Sequence, residues 1–290
     1  MALKAIKPTA AKHSRAKISI FGAPGVGKTW GAMEFPGVYY ICTEPGNQLP
    51  AYMERLEKHK GVYFGPDEGA GDPAEVLGQI RELSLGGHPF KTLVIDSVSK
   101  LWGSILTAEQ ERLGDKDAFG ASKKPAVAFM RSLISACDRL DMNTILIHHQ
   151  AAKWANGEQV GWGADGWDKT DYELNLALQI SHHGPARTAT PLKSREEGFK
   201  TGESFEWNYR EFAARFGKER LEASVEAFDY ATAEQVAELQ ELVERLGVPE
   251  ETQAKWLKKL GVDNFKDADS KRVAKLIEHI QNPKPKTTKK

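Results

Sequence analysis

Lys17-Ile18-Ser19-Ile20-Phe21 runs directly into Gly22-Ala23-Pro24-Gly25-Val26-Gly27-Lys28-Thr29. A short apolar, strand-forming run enters a glycine-rich turn that ends in Gly-Lys-Thr and opens a helix. This is the G-x-x-x-x-G-K-[ST] pattern of a P-loop in the strand–loop–helix setting that supports it. The residue types follow from the chemistry. Glycines at 22, 25 and 27 let the backbone curl so that successive N–H groups converge on a polyphosphate. The following helix adds the positive end of its dipole. Lys28 is placed to bridge the β- and γ-phosphates, and the Thr29 hydroxyl to ligate Mg²⁺. The stretch from Gly22 to Trp30 is therefore expected to bind a nucleotide.

Working outward, the chain has 290 residues, enough for one or two domains with a real core. Forty basic and forty acidic side chains leave no net charge, so overall charge names no polyanionic partner. The ends are uneven. Lys4, Lys7, Lys12, Arg15 and Lys17 precede any acid, and Lys284, Lys286, Lys289 and Lys290 close the chain with none. Such ends read as solvated, flexible segments or as nucleic-acid arms. Cys42 and Cys137 both fall in segments expected to be buried, which implies no disulfide framework or metal cluster and suits a reducing cytosol. No apolar run reaches membrane-spanning length, and the N-terminus lacks the apolar core of a secretion signal.

Strands are expected at 38–42, 61–64, 91–96 and 143–148, alternating with helices at 49–58, 73–85, 97–113 and 125–140. That alternation predicts an α/β fold with a mostly parallel sheet between helices. Residues 151–170, rich in Gly, Trp and charge, read as a loop. Two strands at 172–181 and 187–193 read as antiparallel additions at the sheet edge, and 196–230 gives no clear pattern. A capping box at Thr232 and Gln235 opens a helical stripe, and two further helices follow at 249–260 and 270–280. The expected organisation is a basic arm (1–16), an ATPase core (17–228), a small helical domain (231–281) and a basic tail (282–290).

Phosphoryl transfer needs charge placed around the γ-phosphate and an oriented nucleophile. Asp96 ends the apolar run Leu93-Val94-Ile95, as a Walker B acid does, and is expected to hold Mg²⁺; its competing role is the N-cap of the next helix. Glu44 stands just past the strand that follows the P-loop helix. The C-terminal strand ends of an α/β sheet line the ligand crevice. A carboxylate there can orient or deprotonate an attacking water, which placement favours over a mere turn residue before Pro45-Gly46. Gln150, after the strand ending at His148, could sense the γ-phosphate. His148 and His149 are adjacent on a strand and so point to opposite faces, which argues against a metal pair. His148 reads as packed and His149 as a lesser candidate for the nucleotide or DNA side.

Taken in order, Gly22 to Thr29, Glu44, Val94-Ile95-Asp96-Ser97-Val98-Ser99-Lys100-Leu101 and Gln150 resemble the ATPase core of RecA-type recombinases. Lys193-Ser194-Arg195 resembles the Lys-x-Arg finger that RecA-like ring helicases and related recombinases insert into a neighbour's ATP site. The Gly-x-Pro-Gly-x-Gly-Lys-Thr form, Thr43-Glu44-Pro45-Gly46 and the appended helices look most like the phage Sak-type single-strand annealing proteins. The resemblance implies a RecA-like core using ATP and Mg²⁺, with Lys28, Glu44, Asp96, Gln150, Lys193 and Arg195 as catalytic residues. Gln150 would couple ATP to the DNA-binding loop that follows, and Lys193 with Arg195 would complete the site of an adjacent subunit. It further implies single-stranded DNA and further copies of the chain as partners. The helical unit at 231–281 and the basic tail would contact DNA or recruit a partner such as a single-strand-binding protein, and the setting would be the cytoplasm of a bacterial host. One departure stands out: no RecA-like N-terminal oligomerisation domain is evident.

The segment after Gln150 carries Lys153, Trp154, Trp162, Trp167 and Lys169 among glycines. Indoles suit base stacking and lysines suit phosphates, although Glu158, Asp165 and Asp168 cancel the local charge. Residues 114–124, with Lys116, Lys123 and Lys124, form a weaker second candidate. The expected activity is ATP-dependent single-stranded DNA binding that promotes annealing or strand exchange. The alternatives are a RecA-fold helicase or helicase loader, a small-molecule P-loop kinase and a nucleotide-gated scaffold with little turnover.

Overall fold

A computed structural model describes residues 14–44, 49–117 and 120–282. Most of the basic arm (1–13), the Pro45-Gly46 turn and most of the basic tail (283–290) lie outside the described residues. The first half of the chain gives β1 (Lys17–Phe21), α1 (Lys28–Ala32), β2 (Val38–Cys42), α2 (Pro50–Lys58), β3 (Val62–Phe64), α3 (Pro73–Ser84), β4 (Thr92–Asp96), α4 (Val98–Leu113), α5 (Lys123–Arg139) and β5 (Asn143–His148). There follow β6 (Gln150–Ala155), β7 (Glu158–Ala164), α6 (Thr170–Glu173), β8 (Leu176–His183), β9 (Ala186–Ser194) and β10 (Phe205–Glu206). The chain ends in α7 (Tyr209–Phe216), α8 (Lys218–Glu222), α9 (Ala233–Arg245), α10 (Glu250–Leu260) and α11 (Ser270–Gln281).

Eight strands form one sheet in the order β10-β9-β8-β1-β5-β4-β2-β3. From β8 across to β3 every pairing is parallel, and β9 runs antiparallel to both of its neighbours. The fold is thus α/β with a mostly parallel sheet. The central strands β1, β4 and β5 are buried along their whole length. That explains why they read as near-continuous apolar runs rather than alternating ones.

Two readings of this region need correction. Residues 172–181 were expected to form an antiparallel strand, but Asp171–Glu173 belong to α6 and β8 runs parallel to β1, Ile18 opposite Leu176. A parallel neighbour needs a crossover of about a dozen residues or more. The excursion from His149 to Asn175 supplies one, and only β9 is an antiparallel addition. Residues 151–170 are not simply a loop either, because most of them form the β6–β7 hairpin.

The unread stretch 196–230 folds back as α7 and α8 against the sheet. Phe212 stands 4.9 Å from Phe199 and 5.1 Å from Phe35, ring centre to ring centre, within a cluster that includes Trp207 and Phe216. Trp207 also fixes α1. A Cβ on Gly31 would meet its Nε1 at 2.2 Å, so only glycine allows this approach, and that Nε1 donates to the Lys28 carbonyl at 3.4 Å.

Arg15 and Lys17, read as part of a basic end, belong to the fold instead. Arg15 is 6% exposed and donates to the carbonyls of Arg220 (2.9 Å) and Ser224 (2.6 Å). Lys17 Nζ donates to Met142 O at 2.8 Å. A buried cation must find acceptors, and backbone carbonyls supply them here. Both cysteines are buried, and neither is in a disulfide.

The chain divides into two compact units. The first takes residues up to Val76, His88–Val127 and Met142–Val225, and so holds both sheets. The second takes Leu77–Gly87, Ala128–Asp141 and everything from Glu226 onward. Its core is Leu239 and Leu242 of α9 against Val273 and Ile277 of α11. Thr232 and Gln235 cap α9 reciprocally, Asp269 caps α11, and Gly261 ends α10 in the left-handed region at φ +74°. Within the same unit Arg81 pairs with Asp267 and stacks 4.3 Å from the Tyr230 ring.

Candidate nucleotide site and adjoining hairpin

β1 and α1 position the P-loop. Gly27 closes it at φ +89°, a conformation that strains any residue with a Cβ. Lys28 Nζ donates to the carbonyls of Gly22 (2.9 Å) and Ala23 (3.0 Å), so its ammonium lies across the mouth of its own loop. Burial pushes the ammonium below the ordinary lysine range, and the carboxylates of Asp96 and Glu44 work against that shift.

Strand register brings the acids alongside. Cys42 lies opposite Asp96, so β2 and β4 end together beside the loop. Asp96 is 5% exposed, and its Oδ2 accepts hydrogen bonds from Thr29 Oγ1 (2.6 Å) and Tyr40 OH (2.9 Å). Burial raises its carboxyl above the usual range, against those two bonds. The alternative capping role falls to Ser97, whose Oγ accepts from Lys100 N. Asp96 is thereby left to face Thr29. A hydroxyl and a carboxylate this close form the kind of hard oxygen pair that suits Mg²⁺. The donor set around the loop therefore fits a nucleotide with its divalent ion.

Glu44 follows β2 and joins a second cluster. Its Oε1 accepts from Ser97 Oγ (2.7 Å) and lies 2.6 Å from His149 Nε2. Thr43 ties the strand ends together, its N–H donating to Asp96 O at 2.7 Å and its Oγ1 to Ser97 O at 3.0 Å. The two histidines do diverge. His148 is fully buried, its Nδ1–H donates to Asp165 O at 3.2 Å, and burial lowers its pKa below the usual imidazole value. His149 turns the other way, to Glu44.

Gln150 opens the hairpin and pairs with Ala164. The hairpin base is pinned to the site: Asp165 N donates to His149 O (2.9 Å), Ser99 Oγ donates to Asp165 O (2.6 Å), and His149 N donates to Ser99 Oγ (3.0 Å). Beyond it the side chains open to solvent. Trp154 is 65% and Trp162 49% exposed. Ala152 lies opposite Trp162, Trp154 is two residues further along β6, and the pairing shifts register between Lys153 and Trp154. Lys153 and Lys169 are exposed and Trp167 is half-buried. Lys116 ends a short helical turn after α4, and Lys123 and Lys124 open α5.

Lys193 and Arg195 are not gathered at the P-loop of their own chain. Lys193 lies opposite Ala177, and Ala177 opposite Ser19, at the middle of β1. Their side chains donate to the carbonyls of Leu174 (Lys193 Nζ) and Tyr172 (Arg195, 2.6 Å). Trp30 packs under the Arg55 guanidinium, 4.0 Å from its ring centre.

Tyr40 and the Glu44–His149 contact escaped the sequence reading. Tyr40 sits inside an apolar run, where a hydroxyl gives no periodic signal. Burial first, then the neighbouring Asp96, pushes its pKa up, so it remains a donor. Glu44 and His149 are 105 residues apart, and only the sheet register unites them.

A family model described as an AAA domain matches residues 14–181, from just before β1 into β8. No curated protein sequence matches the chain. Among solved structures, a crystal structure of the RadB recombinase is similar at a TM-score of 0.43 and 16% identity, over 67% of this chain and 88% of that one. The family match spans more than half of the chain and takes in the P-loop, Glu44, Asp96, His149 and the hairpin; the chain belongs to the AAA-domain family of P-loop ATPases.

Proposed function

We propose that this protein is an ATP-dependent, single-stranded-DNA-binding recombination protein that promotes annealing or strand exchange and hydrolyses ATP to ADP and phosphate. The observation that carries the reading is continuity. The carboxylate best placed to act on water, Glu44, is bonded to His149, and the next residue begins a hairpin with two exposed indoles. The strand that begins at the next residue thus leads from the phosphate side to the exposed indoles, the first of them Trp154.

Lys28 and the N–H groups of the loop bind the phosphates, and Thr29 with Asp96 would hold Mg²⁺. The ion, when bound, neutralises charge on the β- and γ-phosphates. Glu44, oriented by Ser97 and His149, positions and deprotonates the attacking water. Gln150, at the hairpin base, responds to the γ-phosphate and passes that state to the DNA face. Trp154 and Trp162 stack on bases, with Lys153, Trp167 and Lys169 beside them. Lys193 and Arg195 act on the site of an adjacent copy, so assembly on DNA and hydrolysis are tied together. The sequence resemblance supports placement among phage Sak-type annealing proteins acting in the bacterial cytoplasm, with residues 231–281 recruiting a single-strand-binding protein.

The test is phosphate release from ATP with and without single-stranded DNA, beside Lys28→Ala and Arg195→Ala. DNA should stimulate release, both variants should lose it, and mixing the two should restore part of it. Indifference to DNA, or label transferred from ATP to a small acceptor, would overturn the reading in favour of a kinase.

A further inference from the structure

β8 and β9 extend past the end of β1. Phe21 is level with Gln179, while β8 continues to His183 and β9 returns from Ala186. Arg187, opposite His182, therefore overhangs the P-loop of its own chain. A Cβ placed on Gly27 would stand 2.3 Å from both Cδ and Nε of Arg187, so the arginine stem lies directly against the last glycine of the loop. Its backbone is anchored, because Trp207 N donates to Arg187 O at 2.8 Å. Its Nε is buried and has no hydrogen-bond partner, and no carboxylate pairs with it among the described residues.

The neighbouring cations differ in this respect. The Arg187 guanidinium lies 5.5 Å from the Trp30 ring centre; Arg55 faces the same ring at 4.0 Å, but it is paired with Glu34 and donates to Trp30 O. Lys193 and Arg195, at the other end of β9, spend their donors on the carbonyls of Leu174 and Tyr172. Arg187 alone of these four has its donor buried, unmet and against the phosphate loop. A buried guanidinium N–H without an acceptor is unfavourable, and a phosphate oxygen is the acceptor its planar fork matches best.

We propose that Arg187 is a nucleotide ligand supplied in cis: the β8–β9 hairpin lays it over Gly27, where its guanidinium donates to the phosphate chain seated on the loop. The proposal rests on the nucleotide-binding reading of Gly22–Thr29. It makes the site partly self-contained, whereas Lys193 and Arg195 would act across an interface.

The experiment measures equilibrium binding of ATP and ADP, by titration of a fluorescent analogue and by calorimetry, to wild type, Arg187→Gln, Arg187→Lys and Lys28→Ala. Arg187→Gln should weaken both nucleotides by about tenfold or more, and Arg187→Lys by less, because charge is kept but the fork is lost. Without nucleotide, Arg187→Gln should melt close to wild type, since losing an unmet donor offsets the lost packing against Gly27 and Trp30. Mixing Arg187→Gln with Lys28→Ala protein should restore no phosphate release, because both defects lie in the same subunit's site. Unchanged affinity in Arg187→Gln, with Lys28→Ala impaired, would overturn the proposal and leave the P-loop reading standing. Restored turnover on mixing would overturn the cis assignment. Equal binding by wild type and Lys28→Ala would remove the P-loop reading, and this proposal with it. A marked fall in melting temperature with unchanged affinity would make Arg187 a packing residue only.

Discussion

The two sides of His149 are built on opposite plans. Toward β4, polar groups are bonded at short range, Thr29 and Tyr40 to a buried Asp96, and Ser97 and a half-exposed His149 to Glu44. Toward β6 and β7, large apolar groups stand in solvent, with Trp154, Val160 and Trp162 all exposed. Acting on a phosphate requires dipoles fixed before the substrate arrives, in a site that excludes water. Stacking on bases requires open aromatic faces and tolerates loose geometry. On the proposed reading, the two demands meet where His149 hands over to the hairpin that opens at Gln150.

The largest expected effect breaks the first side. Lys28→Ala should lower phosphate release by about two to three orders of magnitude, and Asp96→Asn by a similar amount. Asp96→Asn should nevertheless melt no lower than wild type by calorimetry, because it removes a charge whose burial is unfavourable. Glu44→Gln comes next: turnover should fall by about a hundredfold while ATP affinity, read by titration, stays close to wild type.

On the other side, Trp154→Ala with Trp162→Ala should weaken single-stranded DNA binding by about 1–3 kcal/mol per base unstacked, read by fluorescence anisotropy. Phosphate release without DNA should not change. The smallest effect sharpens the junction. His149→Ala keeps the Ser97–Glu44 bond and the exposed indoles, so it should leave DNA affinity intact and reduce DNA stimulation of release by about fivefold, an energy near 1 kcal/mol. Should His149→Ala leave stimulation whole, the two sides are adjacent but not coupled.

The parts legible in the sequence are those where local pattern and chemistry coincide. The Gly-Lys-Thr turn, the apolar run ending at Asp96 and the capping box at Thr232 each announce themselves within a few residues. The direction of β8 was not legible, because parallel and antiparallel edges share the same side-chain pattern and differ only in how the crossover runs. The hairpin was hidden by Gly157, Gly161 and Gly163, which in sequence read as a loop. The aromatics of 199–216 carry no clear period, since they fill a gap under the sheet rather than form a stripe. Arg15 looked like part of a solvated end because its acceptors are carbonyls some two hundred positions away. Arg187 stood in an ordinary strand, and nothing local marks it as lying over Gly27.

The sheet's margins carry one more consequence. β3 offers three residues and β10 only two, so the eight-stranded sheet tapers at both sides. A long bare margin is a template on which another chain can hydrogen-bond strand to strand and propagate a fibril. Tapered margins give such a growth front almost no backbone to copy. Under the proposed assembly on DNA, copies could then meet through side chains without fusing their sheets, and so come apart again.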